Sequence, residues 1–460
     1  MAKNEKIPAK VFAAIVATGL MSFCGVIVET SMNIAFPTLM KDFSVSTNTV
    51  SWITSIYLLA ISIIVPISAI LKSSYKTKNL FLTANILFLC GLIIDAIAPA
   101  FIFLLLGRVV QGIATGIALP LMFNIILEQV PKSKIGTMMG VGNLITGAAP
   151  ALGPTFGGIV INNLGWRWIF YLLLPFIILS LILGLWGIEQ KSKLVKQRID
   201  VPSFLLIAVF FSGAIYGFSS LSNGNILEIV VPLILVILAA ILLVKRTKKI
   251  PHPLLKLDLF KNKYFTASVL GFFLIQMISL GNAFLIPNYI QLTNGSSAMT
   301  AGLIVLPAGA IGAIMGPIGG HLLDKHGARN VTLAGVYLMI AELAIFTLSA
   351  RNMSNLFIML VYILYMGGMG MILGNVMTYA LSRIDKKWVT QGNAILSTVQ
   401  QFAGAVGTSV TSAIVAVSQN TFHSKVGMPT AIGTQHAYIF LLIIAIIIWS
   451  LFFKYVKDEK

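Results

Sequence analysis

The sequence predicts an all-α protein that crosses a membrane many times. Three observations carry this. Of the 460 residues, 57% are hydrophobic and only 10% are charged, whereas a soluble domain carries about 25% charged residues. The apolar residues fall in repeated runs of about 20, the length a helix needs to cross a ~30 Å hydrocarbon core. The weak alternation of a membrane β-barrel is absent.

Fourteen spans are expected, at 11–36, 48–71, 79–99, 101–126, 134–161, 166–188, 203–221, 226–244, 264–290, 299–322, 330–349, 355–381, 389–418 and 435–454. An even count puts both termini on one side. With that side in the cytoplasm, the inner segments hold 27 of the 32 Lys and Arg, all but Lys41, Arg108, Arg167, Arg351 and Lys425. Positive inner loops are a topology signal, and they account for the net charge of +18 without nucleic acid. The first run follows Lys3, Lys6 and Lys10 and is too long for a cleaved signal peptide.

Span one ends in "VETSMNIAFP" (28–37), which sets the carboxylate Glu29 one turn from Asn33. A lone charge near the membrane centre costs at least ~2.5–3.5 kcal/mol, so its default meaning is functional. Span three carries Asp95 near its outer end, four residues before Pro99, where an interfacial, solvated carboxylate is expected. Span four carries Arg108 and span eleven carries Glu342. Cys24 and Cys90 lie inside apolar runs and are expected to be buried free thiols. Spans seven and eight form a hairpin nearly free of charge between the long inner segments 189–202 and 245–263, as a spacer would. The expected organisation is a six-helix bundle over 1–190, a two-helix hairpin with linkers over 191–263, and a second six-helix bundle over 264–460.

Two inner loops align without a gap. "PISAILKSSYKTKN" (66–79) and "PIGGHLLDKHGARN" (317–330) share Pro66 with Pro317, Asn79 with Asn330, and a cation at Lys78 and Arg329. Each follows the second span of a six-helix set. "GPIGGHLLDKHGAR" (316–329) resembles the loop motif of the major facilitator superfamily, with Gly320, Asp324, Gly327 and Arg329 in place. The first copy departs from it, with Ser73 where Asp324 stands and Ser68 and Ala69 replacing the glycines. "GRVVQGIATG" (107–116) resembles the superfamily's fourth-helix motif through Arg108, Gln111 and Gly112. "GAAPALGPTFGG" (147–158) resembles its fifth-helix antiporter motif through Gly147, Gly153, Pro154, Gly157 and Gly158. "VETSMNIAFP", "LGWRWIFYLLLP" (164–175) and "HPLLKLDLFKNKYF" (252–265) are similar to the fourteen-helix drug–proton antiporter branch, which usually has Asp where this chain has Glu29.

The resemblance implies the major facilitator fold: two six-helix bundles plus two extra central helices, around a midplane site. It implies a proton-coupled antiporter that exports amphipathic, often cationic drugs by alternating access in a bacterial plasma membrane. Both termini would be cytoplasmic and a monomer sufficient. On that reading Glu29 carries the proton. Desolvation disfavours the charged form of a carboxyl, which brings loading and release within physiological reach. A site that takes either a proton or a cation gives exchange directly. Arg108 would pair with the carboxylate after proton release, or else bond backbone carbonyls. Glu342 is a second proton site or a protonated packing residue on a peripheral helix. Gly147, Gly153, Pro154, Gly157 and Gly158 would let the fifth helix bend and slide. Gly320 would let helices approach, and Asp324 and Arg329 would latch one conformational state.

Candidate substrate contacts are polar, aromatic or methionine side chains on the spans expected to line the cavity. In the first half they are Asn33, Trp52, Tyr57, Gln111, Met122 and Asn143. In the second they are Gln276, Asn282, Tyr362, Tyr365, Met366, Met369 and Asn375. Aromatic faces attract organic cations and methionines adapt to varied shapes. His321 and His326 flank the Asp324 loop, where a surface role is expected. No phosphate-binding G-x-x-x-x-G-K-[ST] loop and no zinc-type cluster is present, so neither ATP nor a metal is expected. An ion gradient is the expected energy source, worth about 2.3 kcal/mol per proton per 100 mV. Two alternatives stay open: export of a native metabolite, fatty acid or peptide, and a non-transporting membrane sensor with the same fold.

Overall fold

The computed structural model describes residues 7–131, 134–191, 193–222, 224–250, 253–421 and 427–457, apart from a few side chains in the fifth and tenth helices. Fourteen α-helices run in the order expected. The first six are α1 (Ala9–Phe43), α2 (Thr47–Ser74), α3 (Thr77–Ala96), α4 (Phe101–Gln129), α5 (Ile135–Leu164) and α6 (Arg167–Gly187). The hairpin is α7 (Val201–Ser219) and α8 (Ile226–Thr247). The last six are α9 (Lys263–Asn288), α10 (Ala298–His326), α11 (Ala328–Ser349), α12 (Asn355–Ser382), α13 (Val389–Thr421) and α14 (Gly427–Tyr455). Among the described residues, thirteen of these are long and apolar enough to cross a membrane.

Several helices outrun their apolar stretches. The 35 residues of α1 make a rod of about 52 Å at ~1.5 Å per residue, longer than the ~30 Å hydrocarbon core. Apolarity marks where a helix meets lipid, not where its hydrogen-bond ladder stops. For the same reason α14 begins at Gly427 rather than 435.

The turns are short and chemically specified. Ser46, Ser297 and Ser354 cap α2, α10 and α12 by accepting from the backbone N–H three residues on. Gly327 connects α10 to α11 at φ 81°, a left-handed conformation that costs a glycine nothing. That conformation gives the glycine of the loop motif its physical reason.

The two six-helix sets repeat one packing pattern. In the first, α3 packs on α4 and α6; in the second, α11 packs on α12 and α14. The sets meet along two seams, α5 against α10 and α2 against α13. The hairpin is more than a spacer, since α7 packs on both α2 and α13. Trp52 Nε1 donates to Ser219 Oγ at 2.9 Å, Asn48 Nδ2 donates to the Ser219 carbonyl at 2.9 Å, and Phe211 lies 4.5 Å from Phe402 between ring centres. The thiols divide: Cys24 is buried as expected, but Cys90 is exposed on α3. A helix on the rim of the bundle has an apolar face toward lipid, so apolar neighbours do not imply burial inside the protein.

Candidate functional site

Span one and span four bring their charges together. Glu29 on α1 is half-buried, and Arg108 on α4 is fully buried within its electrostatic reach. Among the described residues Glu29 makes no hydrogen bond or ion pair, so its carboxyl is uncommitted. Arg108 is held on three sides. Its Nε donates to the Ile53 carbonyl at 3.2 Å, its Nη1 donates to Gln111 Oε1 at 2.7 Å, and its guanidinium carbon lies 4.0 Å from the centre of the Tyr57 ring. Tyr57 is fixed in turn, donating to the Gly25 carbonyl and to Thr115 Oγ1, each at 3.0 Å. Nη2 of Arg108 is buried without a hydrogen-bond partner.

Asp95 departs from its expected place. It is fully buried rather than solvated, and its Oδ2 accepts from Gln111 Nε2 at 2.9 Å. The cause lies on the next helix, where a Cβ at Gly107 would fall on the Asp95 carboxylate. Without side chains at Gly91 and Gly107, α3 and α4 approach closely enough to enclose the acid. Gln111 is thereby committed between two charged groups, and its expected role as a substrate contact is not what the geometry displays. Asp95 is the buried acid whose enclosure sequence reasoning missed. Its signal was present in the glycine one turn before it and in Gly107 beside Arg108.

A second carboxyl is buried in the last six helices. Glu342 is fully enclosed, although α11 was expected to be peripheral. Asn282 Nδ2 donates to Glu342 Oε1 at 2.9 Å, and Tyr438 Oη donates to Asn282 Oδ1 at 3.0 Å. Asn282 thus serves the carboxyl instead of an open pocket.

The other proposed contacts do not converge on one surface. Asn33 accepts from Thr54 Oγ1 at 2.9 Å. Trp52 turns away to the α7 hairpin, and Asn375 ties α12 to α10 through the Gly319 carbonyl at 3.0 Å. Met122 is fully buried against α1 and α5, while Met366 packs at Gly312 of α10. Gln276 and Met369 are buried. Tyr362 and Tyr365 stack at 5.7 Å, and Tyr365 Oη touches Met369 Sδ at 4.0 Å. The Asn143 side chain and the surroundings of Gly147 lie outside the described residues. Hydropathy assigns a residue to a helix, but the face it occupies depends on neighbours. Cavities of about 380 Å³ beside Asn352 and Phe357 and about 280 Å³ beside Lys248 and Asp258 lie at helix ends, at neither carboxyl.

Among the described residues, the hydrogen bonds across the seams lie toward one end. Ser31 Oγ on α1 donates to the Gly153 carbonyl at 2.7 Å, and Gly157 lies against Ser31. Further along α5, Thr155 Oγ1 donates to the Gly302 carbonyl at 2.9 Å, with Pro154 and Gly158 against the backbone of α10. Across the other seam Thr47 donates to Gln419 at 2.6 Å, Ser412 donates to Ser51 at 2.8 Å, and Ser55 bonds Ser409 at 2.9 Å. All these contacts lie toward the end away from the termini. Gly302, Gly309 and Gly316 recur at seven-residue spacing on one stripe of α10. The first two meet α5, but a Cβ at Gly316 or Gly320 would meet nothing within 4 Å. Gly320 was expected to sit in a close helix contact; among the described residues no neighbouring atom comes within 4 Å of that position. The Asp324 side chain lies outside the described residues. Arg329 lies 4.7 Å from the Phe453 ring centre and donates to the Phe453 carbonyl at 3.4 Å, on α14 of its own set.

The model of the Major Facilitator Superfamily matches residues 18–408. The chain belongs to the major facilitator superfamily. Among the superfamily's curated members it is 35% identical to the lincomycin resistance protein LmrB of Bacillus subtilis, over 98% of this chain and 97% of that one. It is 27% identical to the multidrug resistance protein B homolog of Mycobacterium tuberculosis, covering 86% and 74% of the two chains. Its fold is similar to that of a bacterial homolog of the human lysosomal transporter Spinster in an inward-facing, unoccupied conformation. There the TM-score is 0.70, at 14% identity, covering 98% and 97% of the chains.

Proposed function

We propose that this membrane protein is a proton-coupled antiporter that exports amphipathic, often cationic drugs or toxic compounds from a bacterial cell. Export of drugs is supported by relatives named for lincomycin and multidrug resistance. The observation that carries the coupling is the uncommitted Glu29 carboxyl beside the buried Arg108. A carboxyl free of fixed partners is available to a proton from one side and a cationic substrate from the other. Arg108 stabilises the ionised form and so lowers the cost of the empty site. The two six-helix sets, 1–190 and 264–460, rock about the seams while 191–263 travels with them. The seam contacts at one end and the open Gly316–Gly320 stripe at the other support alternating access, with the open end and both termini in the cytoplasm. The proton gradient supplies the energy, so no bound cofactor enters the cycle.

The test is transport in proteoliposomes under an imposed pH gradient, following lincomycin and a fluorescent cationic dye. The native chain is expected to move at least one of them, and Glu29→Gln is expected to bind but not to accumulate it. Equal gradient-driven transport by Glu29→Gln would overturn the role of Glu29. Transport by the native chain that ignores the gradient would overturn proton coupling itself.

A further inference from the structure

We propose that Glu342, Asn282 and Tyr438 form a second proton-binding site, enclosed within the last six helices and separate from the Glu29–Arg108 pair. The site is built rather than incidental. Three helices contribute to it: α11 supplies the carboxyl, α9 the amide and α14 the hydroxyl. Glu342 is fully buried, and its Oε2 has no hydrogen-bond partner.

The two buried acids of the repeat make an instructive pair. Carrying the Pro66–Pro317 match forward at the same offset sets Gly91 against Glu342 and Asp95 against Phe346. The acids therefore lie one helical turn apart on equivalent helices, α3 and α11. Asp95 has a guanidinium within electrostatic reach, bridged by Gln111. Glu342 has none. The groups within its electrostatic reach are Asn282 from α9, Tyr362 and Tyr365 from α12, and Tyr438 from α14. No charged group among the described residues is one of them. An ionised carboxylate enclosed without a cation is costly, whereas a neutral carboxyl with a hydrogen bond is not. The proton is the occupant that removes that cost without adding volume.

The hydrogen-bond partners suit both states. An amide offers a donor at one end and an acceptor at the other, and a phenol offers both. Toward ionised Glu342, Asn282 presents its NH2 group and takes the Tyr438 hydroxyl on its oxygen. Toward protonated Glu342, the same amide turned about its terminal bond accepts the carboxyl O–H and donates to Tyr438. An arginine in place of Asn282 would serve only the ionised state. Asn282 Nδ2 faces the carboxyl in this structure, so the set does not converge its oxygens on one point as a metal cation requires.

The experiment is infrared spectroscopy of the full-length purified chain in lipid nanodiscs, titrated with pH in potassium and then in sodium buffer. The native chain is expected to show the carbonyl stretch of a protonated carboxylic acid. That band should fall as pH rises, be lost in Glu342→Gln and persist in Glu29→Gln. Asn282→Leu should change the proton affinity about tenfold, the worth of one hydrogen bond to a charged group. A band that ignores pH would make Glu342 a fixed neutral packing residue and overturn the proposal. A midpoint that depends on sodium would overturn it in favour of a metal cation. Should Glu342→Gln fail to fold, a hydrophobic carbodiimide replaces it. Labelling of the native chain should map to Glu342 and fade at high pH; an unlabelled Glu342 would also overturn the proposal. Because Glu29→Gln keeps Glu342, failure of this site and failure of the export reading are separately visible.

Discussion

Asp95 and Arg108 share one amide. Gln111 donates to the aspartate at 2.9 Å and accepts from the guanidinium at 2.7 Å, so two buried charges on neighbouring helices are joined without touching. No ion pair within 4.0 Å joins Arg108 to either carboxylate among the described residues. The arrangement leaves Arg108 available to Glu29 while its charge is partly compensated from behind.

Replacing the shared amide tests that relationship. Gln111→Leu removes a partner from each of two enclosed charges, with an expected loss of about 3 kcal/mol. Thermal unfolding in detergent reads this directly. A loss below ~1 kcal/mol would show that the bridge does not hold the site together.

Adding bulk to the α5–α10 seam should shift conformational populations. A side chain at Gly302 meets the carbonyl carbon of Pro154 and the Cα of Thr155, each at 3.1 Å. Overpacking costs ~1–3 kcal/mol, a shift of ~5- to 150-fold against this conformation in Gly302→Val. Spin-label distances between the α5 and α10 ends away from the termini should lengthen. Unchanged distances would mean that the seam has slack.

The serine pairs across α2 and α13 predict a gentler effect of the same sign. Interhelical hydrogen bonds in membranes average ~0.6 kcal/mol, so Ser409→Ala with Ser412→Ala should move the balance ~8-fold toward separation at that end. Labels on α2 and α13 report it. A shift toward closure would show that apolar packing, not the hydroxyls, sets the seam.

Acid should loosen the root of the hairpin. Both nitrogens of the Arg246 edge reach Asp200, Nε at 2.9 Å and Nη2 at 2.5 Å, and these hydrogen bonds hold the Asp200 carboxyl below its ordinary value. A depressed acid contributes stability that is present above its unfolded value of about 3.9 and is lost as pH falls through the folded one. Hydrogen exchange at the start of α7 is expected to speed up below about pH 4 and, in Arg246→Ala, to be fast at neutral pH as well. Exchange indifferent to both would leave the pair without mechanical weight.

What the sequence made legible follows from how local each signal is. Every helix was visible because apolarity and turn residues act within a few positions. Glu29 stood out because an acid is expensive wherever a span crosses lipid. Asp95 was misjudged because its burial depends on Gly107, a residue on another helix. The partners of Trp52 and Asn375, Ser219 and the Gly319 carbonyl, could not be read from the sequence, since hydropathy in a membrane is nearly uniform around a helix. Gly320 is a different case: the motif marks a small residue, but which helix, if any, comes against it depends on distant packing.

The α7–α8 hairpin makes the molecule lopsided toward its lipid. α7 lies along α2 and α13 and fences that seam, while among the described residues neither hairpin helix is packed along α5 and α10. One flank of the molecule is therefore shielded from the bilayer by two extra helices and the other is not. If transport draws on the lipid leaflet, the hairpin predicts entry from the unfenced side, along the glycine-rich helix α5.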